Sequence, residues 1–206
     1  MKKIVTLSAT NFEKALKIAN EYKFIELRLA KLNFSLQQIK QIIDVSEKII
    51  ITDFFDSNNP FLCNILNSKK IIIDIPFEFL LDEKNNFDTF SNCQILISYH
   101  NWNNFSELYE TKQIFSIIDK MITVEKILKI NYFKIAIIIN NEQEEEQFFS
   151  LFEKYSEQKE KLILIPLGKK FQQSRIKSLE LGSPFMYCYV DIPATDCQLS
   201  YAELDI

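Results

Sequence analysis

Short runs rich in isoleucine, valine and phenylalanine recur along the chain at residues 2–8, 24–29, 48–52, 70–75, 94–99, 133–139, 161–166 and 185–190. They lack clean apolar–polar alternation, which is the pattern of parallel strands covered on both faces. The segments between them mostly read as amphipathic helices. The clearest lie at 11–22, 35–45, 142–155 and 172–181, with Ser35 standing as an N-cap and Gly182 ending the last. Eight such units predict an α/β fold, a compact (β/α)8 barrel of TIM type forming one domain over residues 1–206, although about 250 residues are usual for that fold. The alternative is an open doubly wound sheet. It would usually carry a Gly-rich turn after its first strand, and Ser8, Ala9, Thr10 and Asn11 supply none. Past the eighth strand only residues 200–206 remain, so a truncated last helix is expected. The outer apolar face of strands eight and one then lacks cover, which predicts a homodimer.

Composition narrows the function classes. With 47% hydrophobic and 25% charged residues, the 206-residue chain is an ordinary globular protein. A net charge of -4 and the lack of any basic run longer than a lysine pair argue against nucleic acid and anionic membranes as partners. No apolar run is long enough to span a bilayer, and the opening residues lack a signal-peptide core, so a cytoplasmic location is expected. Four scattered cysteines, Cys63, Cys93, Cys188 and Cys197, read as reduced thiols rather than a disulfide frame or metal site. Of the 24 basic side chains all but Arg28 and Arg175 are lysine, and there is one histidine and two glycines. Positions where these scarce residues survive are therefore read first.

Barrel active sites sit where the strands end at their carboxyl termini. Lys134, within 133–139, shares an inward face with Ala136 and Ile138 by period-two alternation. Desolvation there lowers a lysine pKa and frees a neutral amine able to attack a ketone; a lysine snorkelling to solvent is the plainer alternative. His100 ends the fifth strand beside the sixth and suits proton shuttling. Glu26 and Arg28 share one face of strand two, which is the lumen if helices cover Ile25 and Leu27, as a ligand site or a structural salt bridge. Arg175, near a helix start after strand seven, can hold a carboxylate in bidentate fashion, and Gln198 can bond a hydroxyl.

These residues sit in a recurring set of motifs. Phe24-Ile25-Glu26-Leu27-Arg28-Leu29, Ile97-Ser98-Tyr99-His100-Asn101-Trp102, Lys134-Ile135-Ala136, Ser174-Arg175, Gly182-Ser183-Pro184 and Cys197-Gln198-Leu199-Ser200 resemble, in order and over nearly the whole chain, the motifs of type I 3-dehydroquinate dehydratase. The resemblance implies loss of water from 3-dehydroquinate to give 3-dehydroshikimate, the third step of the shikimate pathway. It implies that Lys134 forms an imine with the substrate ketone, that His100 moves the protons, that Arg175 holds the carboxylate, and that Glu26, Arg28 and Gln198 bond ring hydroxyls. It implies a small-molecule substrate and neither metal nor dissociable cofactor.

The chain also departs from the family pattern. After strand three the expected Arg, and the Glu that orients the histidine, are replaced within Thr52-Asp53-Phe54-Phe55-Asp56-Ser57-Asn58-Asn59, leaving Asp53 and Asp56 as candidate histidine partners, with Asp56 preferred for its reach. The acid that usually ends strand four reads as replaced around Asp74-Ile75-Pro76, and the C-terminal Ser-Ala-Pro-Gly-Gln becomes Ala194-Thr195-Asp196-Cys197-Gln198. The span from His100 to Lys134 is longer than expected. Two other readings stand beside the dehydratase. One is an imine-forming aldolase, which needs a phosphate cradle of which Gly168, Lys169 and Lys170 are a faint version; the other is a barrel that kept its pocket and lost competence.

Overall fold

A computed structural model of the chain describes residues 3–53, 68–81, 92–102 and 105–204. All eight apolar runs form strands: β1 Lys3–Leu7, β2 Phe24–Arg28, β3 Lys48–Thr52, β4 Ile71–Pro76, β5 Gln94–Asn101, β6 Tyr132–Ile138, β7 Leu162–Leu167 and β8 Met186–Tyr189, followed by a two-residue β9, Leu199–Ser200. They pair in parallel in the order β7-β6-β5-β4-β3-β2-β1-β8-β9. The described helices are α1 Phe12–Tyr22, α2 Leu36–Val45, α3 Phe105–Glu110, α4 Gln113–Leu128, α5 Glu142–Lys154 and α6 Ser174–Leu181. Two helices, α3 and α4, fill the connection between β5 and β6, which accounts for the long span from His100 to Lys134.

Local chemistry explains the helix starts. The Asn11 side chain accepts from Lys14 N at 2.9 Å, and Asn141 does the same for Glu144 N at 2.9 Å. Ser35 and Gln38 form a reciprocal capping box. Both glycines of the chain have positive φ, 110° at Gly168 and 127° at Gly182. The stop of α6 uses glycine for its left-handed backbone, and a Cβ at Gly182 would also have to displace the end of the Lys159 side chain.

Strand alternation sorts the interior into layers. Outward residues such as Ile25, Leu27, Ile49, Ile51, Ile135 and Ile137 pack into the main core under the helices. Inward residues at the amino-terminal ends build an apolar floor from all eight strands: Ile4, Ile50, Ile72, Leu96, Ile163 and Tyr187, with Phe24 and Tyr132 against them. Two residues further along seven of the strands stand Thr6, Glu26, Thr52, Asp74, Ser98, Lys134 and Ile165. Six of these seven are polar. The floor thus marks where the lumen changes from packing to chemistry, one pleat up.

The strands curl into the expected barrel arrangement, but β7 and β8 form no ladder, and the edge of β7 turned away from β6 bonds instead to side chains of α6 and of the loop before β8. Ser183 Oγ accepts from Leu164 N at 3.2 Å, Ser178 Oγ donates to Leu164 O, and Arg175 Nε donates to Pro166 O at 3.2 Å. Ser178 and Ser183 also bond to each other at 2.9 Å. The edge of β7 is thereby satisfied without a partner strand.

After β9 the described residues run into a single 3₁₀ turn at Ala202–Leu204, where the sequence leads us to expect little of a covering helix. The face expected to lie bare is nevertheless covered. Leu199 and Leu204 join the main core beside Val5 and Cys188, and Tyr201 stacks edge-on against Tyr22 at 4.6 Å. The argument for a homodimer from an uncovered face therefore does not hold. No helix among the described residues is long and apolar enough to cross a membrane.

Ser183→Ala leaves the buried Leu164 N–H without its acceptor. It should lower unfolding free energy by about 1–3 kcal/mol, measured by urea denaturation. A loss below a few tenths would mean that this edge is held some other way.

Candidate active site

At the carboxyl ends of the strands a cavity of about 300 Å³ is lined by Glu26, Arg28, Thr52, Asp53, Asp74, Pro76, Ser98, His100, Trp102, Lys134, Ala136, Ile165, Leu167, Arg175, Tyr187, Ala194, Thr195 and Gln198. Seven of the eight residues singled out from sequence therefore meet in one place. The eighth, Asp56, lies outside the described residues, as does Cys63.

Lys134 occupies the polar layer and is 4% exposed. Its ammonium is ion-paired with Asp74 Oδ2 and lies 5.1 Å from the centre of the Tyr187 ring. The snorkelling alternative is therefore wrong: the amine is held inside. Asp74 also corrects the view that strand four had lost its acid. The Asp74 side chain points inward one pleat above Ile72 and meets the lysine directly. Its signal was present in the sequence, a lone charge in an isoleucine run with the parity of the inward face.

Glu26 is buried on the opposite side of the lumen, where it accepts from Thr6 Oγ1 at 2.6 Å. Thr6 in turn accepts from Gln198 Nε2 at 2.8 Å, and Gln198 Oε1 accepts from Ala194 N at 2.7 Å. This chain of bonds ties the C-terminal loop to β1 and β2. Burial raises the Glu26 pKa above the usual carboxylate value, against the opposing pull of Lys134, Thr6 and Arg28. Arg28 Nε bonds Asp53 Oδ2 at 3.1 Å at the half-buried rim. Asp53 adopts a φ of 59°, the left-handed region that aspartate tolerates better than most residues. Its carboxylate thus serves the arginine, and no hydrogen bond to His100 is present among the described residues.

Arg175 is 3% exposed at the start of α6, with Nη2 3.2 Å from Cys197 Sγ. Burial lowers its pKa from the ordinary guanidinium value while Cys197 and Glu26 oppose the change. It remains a cation at neutral pH. The same side chain bonds the edge of β7, so one residue supports the wall and faces the cavity.

His100 follows Ser98 along the inward face of β5, and these two pair with Ala136 and Lys134 in register. It stands at the open mouth beside Trp102, which is 58% exposed. Surrounding protein and then the Lys134 charge push its pKa down to about 4, with the Asp74 carboxylate pulling the other way. Arg28 adds a further cation that lowers it, and Asp53 a further carboxylate that opposes the change. A base with a depressed pKa is neutral above that value, so at pH 7 the imidazole is free to take a proton. Behind β5 and β6, Glu144 links two of the segments that follow them. It is buried and accepts from Ser106 Oγ at 2.6 Å and Asn140 N at 2.8 Å, joining the start of α3 to the end of β6.

Sequence reasoning also missed Ser98 and Tyr187, which line the cavity on inward positions of β5 and β8. The parity of their strands was the available signal. Gly168, Lys169 and Lys170 line none of it, and both lysines are exposed. The site holds no cluster of histidine, cysteine and acid side chains suited to a metal among the described residues.

Because the chain has a single histidine, its titration can be followed without assignment. The proton NMR midpoint of His100 should lie well below 6.5, toward 4, and Lys134→Met should raise it by removing a positive charge. A midpoint at or above 6.5, or no response to the lysine change, would contradict this electrostatic picture.

No protein-family model matches the chain. A 3-dehydroquinate dehydratase of Archaeoglobus fulgidus is 26% identical over 216 aligned positions, covering 97% of this chain and 94% of that protein. The crystal structure of the 3-dehydroquinate dehydratase from Aquifex aeolicus superposes with a TM-score of 0.71 at 20% identity, over 99% of this chain and 95% of that one. The type I enzyme from Clostridium difficile, solved with covalently modified comenic acid, gives 0.69 at 17% identity, over 99% and 89%. The structures establish the barrel fold, and the sequence match extends the likeness along nearly the whole chain. In fold, and over nearly its whole length, this chain is similar to 3-dehydroquinate dehydratases, a type I enzyme among them.

Proposed function

We propose that the protein is a type I 3-dehydroquinate dehydratase that converts 3-dehydroquinate to 3-dehydroshikimate through an imine on Lys134. The observation that carries this reading is a buried lysine on β6, paired with an acid and placed in one cavity with the sole histidine and both arginines. A buried amine next to a carboxylate can surrender its proton locally and attack a carbonyl. As an iminium, the nitrogen acts as an electron sink. The adjacent C–H becomes acidic, His100 removes that proton, and the resulting enamine expels the β-hydroxyl, which the protonated imidazole assists by returning the proton. Arg175 supplies the cation for the substrate carboxylate, while Glu26, Arg28 and Gln198 meet its hydroxyls.

The aldolase alternative loses support because the two lysines that would cradle a phosphate face solvent away from the cavity. The reading of a barrel without activity has no such observation against it, and it is the outcome that the following experiment separates. Incubation with 3-dehydroquinate and borohydride should add a stable mass to Lys134, mapped by peptide mass spectrometry. Modification at another lysine, or none, would refute the assignment. His100→Ala should retain trapping and lose about 100-fold or more in turnover. Unchanged turnover would place the base elsewhere.

A further inference from the structure

Two buried hydroxyls of residues that line the cavity have no hydrogen-bond partner among the described residues: Ser98 Oγ, in a residue 1% exposed, and the Tyr187 phenol, in a residue 6% exposed. Both line the same space, and both flank Lys134. Ser98 is its register partner on β5, while the Tyr187 ring lies beside its ammonium from β8. Buried polar groups are rarely left without a partner, and an orphan in a cavity wall is satisfied by whatever occupies that cavity. Packing alone does not call for the phenol oxygen. The ring makes its floor contacts edge-on with Phe185 at 5.8 Å, which a phenylalanine would make equally well.

We propose that the Tyr187 hydroxyl, with Ser98 Oγ as a second donor on the other flank of Lys134, is a hydrogen-bonding seat for the carbonyl oxygen that the substrate loses when Lys134 becomes an imine. This rests on the dehydratase reading and extends it to a positioning residue for the first chemical step. In that step the amine nitrogen adds to the carbonyl carbon, the π pair moves to oxygen, and the C–O bond then breaks with release of water. Beginning from the ammonium, two protons leave nitrogen and both end on the departing water, so no outside acid is needed. Asp74, in contact with the ammonium, is the group placed to carry them. Tyr187 holds the oxygen but does not supply the proton. Burial, and then the Asp74 and Glu26 carboxylates, raise its pKa well above 10, so it remains a phenol throughout and a constant donor.

The test is rapid-quench trapping of the full-length protein with 3-dehydroquinate and borohydride, comparing wild type with Tyr187→Phe. The variant should form the trapped adduct about tenfold more slowly, the effect of one hydrogen bond in a transition state. Its thermal midpoint should not fall, because the hydroxyl has no partner to lose among the described residues. Deuterium on the carbon that loses its proton should slow turnover less in the variant than in wild type, since imine formation then limits the rate. Equal trapping rates would overturn the proposal and leave the dehydratase reading intact. A slower rate accompanied by a lowered midpoint would also overturn it, by making the hydroxyl structural. If wild type gives neither product nor adduct, the dehydratase reading fails and this inference falls with it.

Discussion

Everything in this lumen is organised around a buried ion pair between Lys134 and Asp74. Isolated, either charge would cost several kcal/mol to bury, and the pair recovers that only if geometry and neighbouring bonds are favourable. The barrel meets the condition by shape. Strands β4 and β6 flank β5 and send one residue each inward at nearly the same height. Glu26 adds a second carboxylate across the lumen, and its Thr6 bond tempers the crowding of negative charge. Replacing the pair by apolar residues of like volume would cost the fold little and remove the chemistry.

The rest of the interior follows from that choice. An apolar floor seals the amino-terminal end, so polar side chains one pleat above it are reached only from the opposite mouth. Aromatic packing among Tyr132, Phe185 and Tyr187 gives the floor its rigidity. Above the ion pair, Arg28, Asp53 and His100 stand at the rim with more water and more freedom. The buried groups thus fix the geometry, and the rim groups are the ones that can respond to a ligand.

Fold and site were not equally legible in the sequence. All eight strands and the four clearest helices could be read because long isoleucine runs and N-cap residues are local signals. Parity along those strands then put Lys134, Glu26 and Arg28 inside. What failed were features that depend on partners far apart in the chain. Asp74 was passed over because its meaning arises from Lys134, sixty positions on. Asp53, weighed as a partner for histidine, bonds Arg28 from the left-handed turn at the end of β3, and its charge also acts on His100, a double placement that no local pattern reveals. The bare face expected on β8 and β1 disappeared because a two-residue strand and one 3₁₀ turn cover it, elements too short for any periodicity.

The side-chain bonds that cap the edge of β7 change how substitutions in this chain should be interpreted. A backbone ladder is largely indifferent to residue identity, so most substitutions along it leave its bonds intact. Capping through Arg175, Ser178 and Ser183 has no such immunity, because each hydroxyl or guanidinium is an individual architectural part. Arg175 belongs to two ledgers at once, wall and ligand. Its retention in a lysine-dominated chain is therefore not by itself a signature of catalysis, and an inactive Arg175 variant would leave open which of its two duties was lost.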